Sequence, residues 1–296
     1  MKPSNLLIFL SVLIALMAAI ASAAGLFMNS GPGPFAFTTV HGQEIQLYGR
    51  GLYFYDWAFK APIQRGTDAV ILFGSVPLLV FAILYYRRGT LRGRLLLASV
   101  LSCFLYFSAS LAFGTAYNPL FLLYVVYFSA SLFAFVTALA GIDLKTLAAS
   151  VQPSMPRRGI AIFMVIAGLS VLVWLLDKIG PLVLNMIPEA IASYTTDATA
   201  VLDIGIIGPS AYLTAVLLFR RRPLGYLLAP NLLVLNATIG LIVIAQTIAQ
   251  RLDGIVLSVQ VMIVFVGIFV VTSLFAAGLV IRYFRALADG PNQHSD

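Results

Sequence analysis

Few residues of this chain could do chemistry in an apolar setting, and five stand out: Asp203, Asp68, Gln246, Gln260 and Asn236. A carboxylate away from water needs a cation or several hydrogen-bond donors, and a buried amide needs partners for both its ends. Two acids and three amides gathered in one place would recognise a small neutral or cationic molecule. They would not by themselves break a bond. The chain has no GxSxG elbow, no glycine-rich phosphate loop after a strand, and no carboxylate pair placed to activate water within a bilayer. The single cysteine, Cys103, sits in an apolar run, which rules out a disulfide framework, a CxxC pair and a thiolate metal cluster. His41 and His294 fall in a loop and in the tail, so neither a histidine-held haem nor a histidine zinc site is expected. The expectation is of no catalytic residue, no metal and no cofactor.

The elements that must hold these residues are membrane helices. Only 10% of the residues are charged and 61% are hydrophobic, against about 25% charged in soluble domains. A hydrocarbon core of about 30 Å takes about 20 helical residues to cross. Uncharged runs predict eight crossings: Asn5 to Met28, Asp68 to Tyr86, Leu95 to Tyr117, Pro119 to Ile142, Gly159 to Ile179, Ala198 to Phe219, Pro223 to Ala249 and Ile255 to Ile281. The reading is a single all-α polytopic membrane bundle over residues 1–296, and a separate soluble catalytic domain has no room. The lipid bilayer is its first partner. The net charge of +7 follows from membrane topology rather than from nucleic acid, which is not an expected partner.

Loop charge sets the orientation. Lys2, Arg87, Arg88, Arg92, Arg94, Lys145, Arg157, Arg158, Arg220 to Arg222, Arg282 and Arg285 fall on one side, 13 of the 18 basic residues. The other side holds Arg50, Lys60, Arg65, Lys178 and Arg251 with eight of the eleven acids. By the positive-inside rule both termini are cytoplasmic, in what reads as a prokaryotic plasma membrane. The first run also has features of a cleavable signal peptide, with Lys2 before it and Ala21, Ser22, Ala23 near its end. Its 24 uncharged residues exceed the apolar core of about 7 to 15 residues in such peptides, so it is read as a retained crossing.

Two external segments are predicted, about 29–67 and 180–196. In the first, Phe35 to Val40 and Glu44 to Tyr48 flank His41-Gly42-Gln43 as a short β-hairpin. Tyr53, Phe54, Tyr55, Trp57 and Phe59 then form an aromatic segment suited to the headgroup level. In the second, Thr195 or Thr196 is expected to cap the sixth crossing, with Asp197 complementing its dipole.

Within the crossings, Tyr-Phe-Ser-Ala-Ser-Leu occurs at Tyr106 to Leu111 and at Tyr127 to Leu132. Its small residues predict close approach of the third and fourth helices. Pro230 should free the carbonyl of Tyr226 and kink the seventh crossing near Asn231. Asn236, near mid-bilayer, needs partners inside the bundle. Asn236-Ala237-Thr238 matches a glycosylation sequon, but its place within an apolar helix denies access.

No ionisable residue lies in the central half of a crossing, which argues against a proton pump, a charge-coupled antiporter or a voltage sensor. Polarity gathers at the outer ends instead. Asp203 is about 7 Å below the start of its crossing by helical rise, and Gln246 and Gln260 lie at similar depth with Asp68, Asp177, Lys178, Tyr117 and Asn118 in the same layer. The functional reading is an outward-facing polar vestibule that binds or passes a small neutral or cationic molecule. Lys178 is an alternative partner for Asp203, in which case the polar residues only hold together a membrane scaffold or assembly subunit. A lipid-modifying enzyme is the third reading.

Overall fold

The computed structural model describes residues 3–188 and 191–288; Lys2, Glu189, His294 and the side chain of Asp177 lie outside the described part. Helix α1 (Asn5–Phe27) starts where the Ser4 hydroxyl accepts the amide of Leu7 at 3.4 Å. The hairpin follows, with β1 (Phe35–Thr38) antiparallel to β2 (Glu44–Leu47) and Phe35 opposite Leu47. At its tip the Thr39 hydroxyl accepts the amides of His41 and Gln43, and Gly42 takes a φ of 77°. The chain then folds back on β2: Tyr48 donates its amide to Asp56 O at 2.8 Å and Ala58 donates to Gln46 O at 2.9 Å. A Cβ on Gly49 would lie 1.9 Å from Gly33 O and one on Gly51 1.8 Å from Met28 O, so only glycine permits this double-back.

The second crossing is α2 (Lys60–Val70), a π turn at Ile71–Ser75 and α3 (Val76–Tyr86). Then come α4 (Leu91–Gly114), capped by Thr90, and α5 (Phe121–Ala140). A short α6 (Leu144–Ser150) is capped by Asp143. The fifth crossing is α7 (Arg157–Ser170) and α8 (Leu172–Val183). The sixth is α9 (Ala198–Leu202), a π turn at Asp203–Ile207 and α10 (Gly208–Phe219). The last two are α11 (Pro223–Leu252) and the run α12 (Val259–Val261), Met262–Gly267 in π geometry and α13 (Ile268–Arg285).

Seven of these are continuous helices long and apolar enough to cross a membrane. The fifth crossing differs from the continuous helix expected, for a local reason. The Ser170 hydroxyl donates to Ala167 O at 2.7 Å, and the amide of Val171 turns to Leu169 O. A serine hydroxyl competing for a helix carbonyl bends the helix. The cap of α9 also departs from expectation, since Asp197 itself accepts the Ala200 amide at 3.1 Å.

Contacts at one face support the count of eight. The Ser4 amide donates to the Tyr86 hydroxyl at 2.9 Å, Arg94 reaches Gly141 O at 3.1 Å, and Arg92 donates to Leu287 O. Gln152 donates its amide to Ala286 O, and Ala288 donates to Ser150 O. Both ends of the described chain therefore sit on one basic face, which needs an even number of crossings.

The core is built by close approach at small residues. Ser108, Ala109, Ala130, Ser131 and Ala134 are all buried, and α4 packs against α5. A Cβ on Gly168 would strike the Tyr212 ring at 2.8 Å, and one on Gly240 would meet the Ser273 side chain at 2.4 Å. In α11, Pro230 leaves Tyr226 O without its helical donor, and the Tyr283 hydroxyl of α13 donates to that oxygen instead.

Candidate functional site

The polar groups of the face opposite the basic one, called here the hairpin face, gather around the fold-back segment. Tyr53 ends a 3-10 turn (Gly51–Tyr53) that points its ring into the bundle. Its hydroxyl donates to Asp68 Oδ2 at 2.6 Å. Asp68 is 1% exposed and packs against bare backbone: a Cβ on Gly25 of α1 would stand 1.9 Å from Asp68 Oδ2 and 2.9 Å from the Tyr53 hydroxyl. Burial, and next the charge of Asp68, raise the Tyr53 hydroxyl well above its ordinary range.

Asp56 is fully buried. Its Oδ1 accepts the Ala116 amide at 3.0 Å and the Tyr194 hydroxyl at 2.7 Å. The Tyr194 hydroxyl in turn accepts the Trp57 amide at 3.2 Å. Oδ2 is buried with no hydrogen-bond partner. Burial pushes the Asp56 carboxyl up to about 6, against the opposing pull of the Ala116 amide, the Tyr194 hydroxyl and the Lys60 charge. Lys60 Nζ donates to Gly114 O at 2.8 Å and lies 3.9 Å from the centroid of the Tyr194 ring. Asp56, Lys60 and Tyr194 thus join the aromatic segment, the α4–α5 loop and the segment before α9.

A third group ties α2 to α11. Arg65 Nη1 is 3.5 Å from Asp253 Oδ2 and donates to the Tyr48 hydroxyl at 2.8 Å, and that hydroxyl donates to Asp253 Oδ2 at 3.0 Å. Gln246 Nε2 donates to Thr67 Oγ1 at 2.8 Å, and a Cβ on Gly66 would lie 2.4 Å from Gln246 Cα. The two helices are in backbone contact at this level.

Of the five residues singled out by sequence, Asp68 on α2 and Gln246 on α11, where it meets α2, each have a partner from the chain itself. Asp203 opens the π turn of the sixth crossing and accepts the Tyr106 hydroxyl at 2.8 Å. Lys178 lies 2.9 Å from Asp197, six residues before Asp203. Gln260 is exposed, whereas Gln246 turns inward to Thr67. Asn236 joins two helices: its Nδ2 donates to Leu232 O at 2.9 Å and its backbone oxygen accepts the Ser273 hydroxyl at 2.6 Å.

A cavity of about 110 Å³ opens at the hairpin face. Thr115, Ala116, Asn118 and Tyr124 are among its lining residues, and none of the five sequence candidates is. Asn118 Nδ2 lies 3.4 Å from the Tyr124 hydroxyl. Asp56, Lys60, Arg65, Tyr48 and Tyr194 escape a reading based on depth, because each falls in one of the two segments read as external, where charge is ordinarily solvated. One signal was present: Asp56 stands among five aromatic residues within Tyr53 to Phe59, a setting that buries whatever it surrounds. Among the described residues no group of three or more histidine, cysteine or acidic side chains is placed to hold a metal ion. No protein-family model, curated protein or solved structure matches this chain.

Proposed function

We propose that the protein is a non-catalytic membrane scaffold that holds its hairpin and aromatic segment rigidly on an eight-crossing bundle. One observation carries this reading. The polar groups of the hairpin face are engaged with one another: Asp68 with Tyr53, Asp56 with Tyr194, Arg65 with Asp253 and Tyr48, Gln246 with Thr67. Side chains already satisfied by their own chain have little to offer a passing molecule, and exchanging them for a ligand would leave buried groups unpaired. The split of basic residues between the loops supports placing both termini on the cytoplasmic side of the membrane.

A second reading, binding or passage of a small neutral or cationic molecule from the hairpin face, is favoured by the 110 Å³ cavity beside Ala116 and by the unpartnered Asp56 Oδ2. Thiol access separates the two. In a Cys103→Ser background, cysteine at Asn236 is expected to resist a small water-soluble thiol reagent applied to the purified protein, while cysteine at Val40, 92% exposed, reacts. Rapid modification at position 236 would mean that water reaches mid-bilayer and would give the lead to the vestibule.

A further inference from the structure

A second cavity, of about 480 Å³, lies on the basic face. Met155, Pro156, Arg157, Arg158 and Gly159 line it from the start of α7, and Arg221 from the turn between α10 and α11. Three arginines thus line it, two from the start of α7 and one from the α10–α11 turn. Among the described residues none of the three has an acidic partner, and Arg157 Nε is buried without any hydrogen bond. Other arginines of this face differ. A terminal nitrogen of Arg92 donates to Leu287 O and one of Arg94 to Gly141 O, although Arg92 Nε, like Arg157 Nε, is buried without a hydrogen bond.

The backbone around the cavity favours an anion independently of the arginines. Pro156 precedes α7 without any side-chain cap, and no acid stands in the first turn. The amides of Arg158 and Gly159 are first-turn donors that a helix leaves unpaired, at its positive end. Beside Gly159 the space is open, with no atom within 4 Å of an added Cβ.

Arg221 is the most telling residue. Arg222 donates its amide to Leu217 O at 2.8 Å and Arg221 donates to Leu218 O at 3.1 Å, which closes α10 as a Schellman motif. Arg221 therefore occupies the left-handed position, with a φ of 54°. Glycine is the usual residue there and an arginine is strained. Local structure prefers its absence, so the side chain serves something other than the turn.

We propose that this cavity binds a phosphate group. Planar guanidinium forks match the oxygens of a phosphate in pairs, and helix-start amides add donors of the right polarity. At the basic face of a membrane bundle that chemistry has two sources: the headgroup of an anionic phospholipid, or free phosphate from the aqueous phase.

The test is thermal melting of the full chain in neutral detergent, titrated with phosphatidylglycerol or with inorganic phosphate at constant ionic strength. A saturable rise in melting midpoint is expected with at least one probe. Response to phosphatidylglycerol alone assigns a lipid headgroup, and response to inorganic phosphate assigns the free ion; either supports the site. Arg221→Gly should keep or raise the melting midpoint without ligand, since glycine relieves the turn. It should raise the half-saturating concentration by about tenfold, as loss of a charge-assisted contact does. Arg157→Gln should do the same, and Arg88→Gln, which alters a basic residue outside the cavity, should not. No saturable rise with either probe, or an equal loss of response in Arg88→Gln, would overturn the proposal.

Discussion

Asp56 carries the clearest pH signature in the molecule. Its carboxyl is held at about 6 in the folded protein, above the ordinary 3.8, so the folded state keeps that proton more tightly than the unfolded chain does. The resulting stabilisation is complete below pH 4 and is lost as pH rises through 6. It corresponds to about 3 kcal/mol at most. Unfolding of the wild type and of Asp56→Asn in detergent should therefore diverge between pH 4 and pH 7, the wild type losing stability relative to the variant. Parallel curves would contradict this account of Asp56. Asp68 was legible in the sequence as an acid at a helix end, but not its confinement, because nothing in the sequence aligns Gly25 and Tyr53 with it. Those are contacts across crossings, set by helix packing rather than by local pattern.

At the scale of elements, Pro230 gives the most direct passage from residue type to packing. A proline at that position has to strand the carbonyl four residues earlier, and the structure supplies Tyr283 from the neighbouring helix as its donor. Tyr283→Phe should cost about 1 kcal/mol, the net worth of one buried hydrogen bond. In a Pro230→Ala background the alanine amide can bond Tyr226 O, so the same change should cost less. Melting of the four proteins checks this, and equal costs in both backgrounds would show that Tyr283 acts through packing alone. The hairpin was readable from alternation around His41-Gly42-Gln43, and most crossings from uncharged length. The π turns at Ile71–Ser75, Asp203–Ile207 and Met262–Gly267 were not. Each adds a residue to a turn, so faces projected through them with a period of 3.6 fall out of phase.

For the whole molecule, the charge split of the loops and the contacts at the basic face point to the same architecture. Cysteine at Gly89 should be shielded from an impermeant reagent on intact cells and cysteine at Gly42 reached, in the Cys103→Ser background; the opposite labelling would invert the orientation. The ties of the hairpin face also bear on how the protein is made. Asp56 meets Tyr194 across 138 positions of sequence, and Tyr48 meets Asp253 across 205. At about 5 to 20 residues per second of synthesis, the segment from Phe35 to Phe59 leaves the ribosome many seconds before either partner exists. Until then its acid and its aromatic rings lack these partners, and segments made later close over one made earlier.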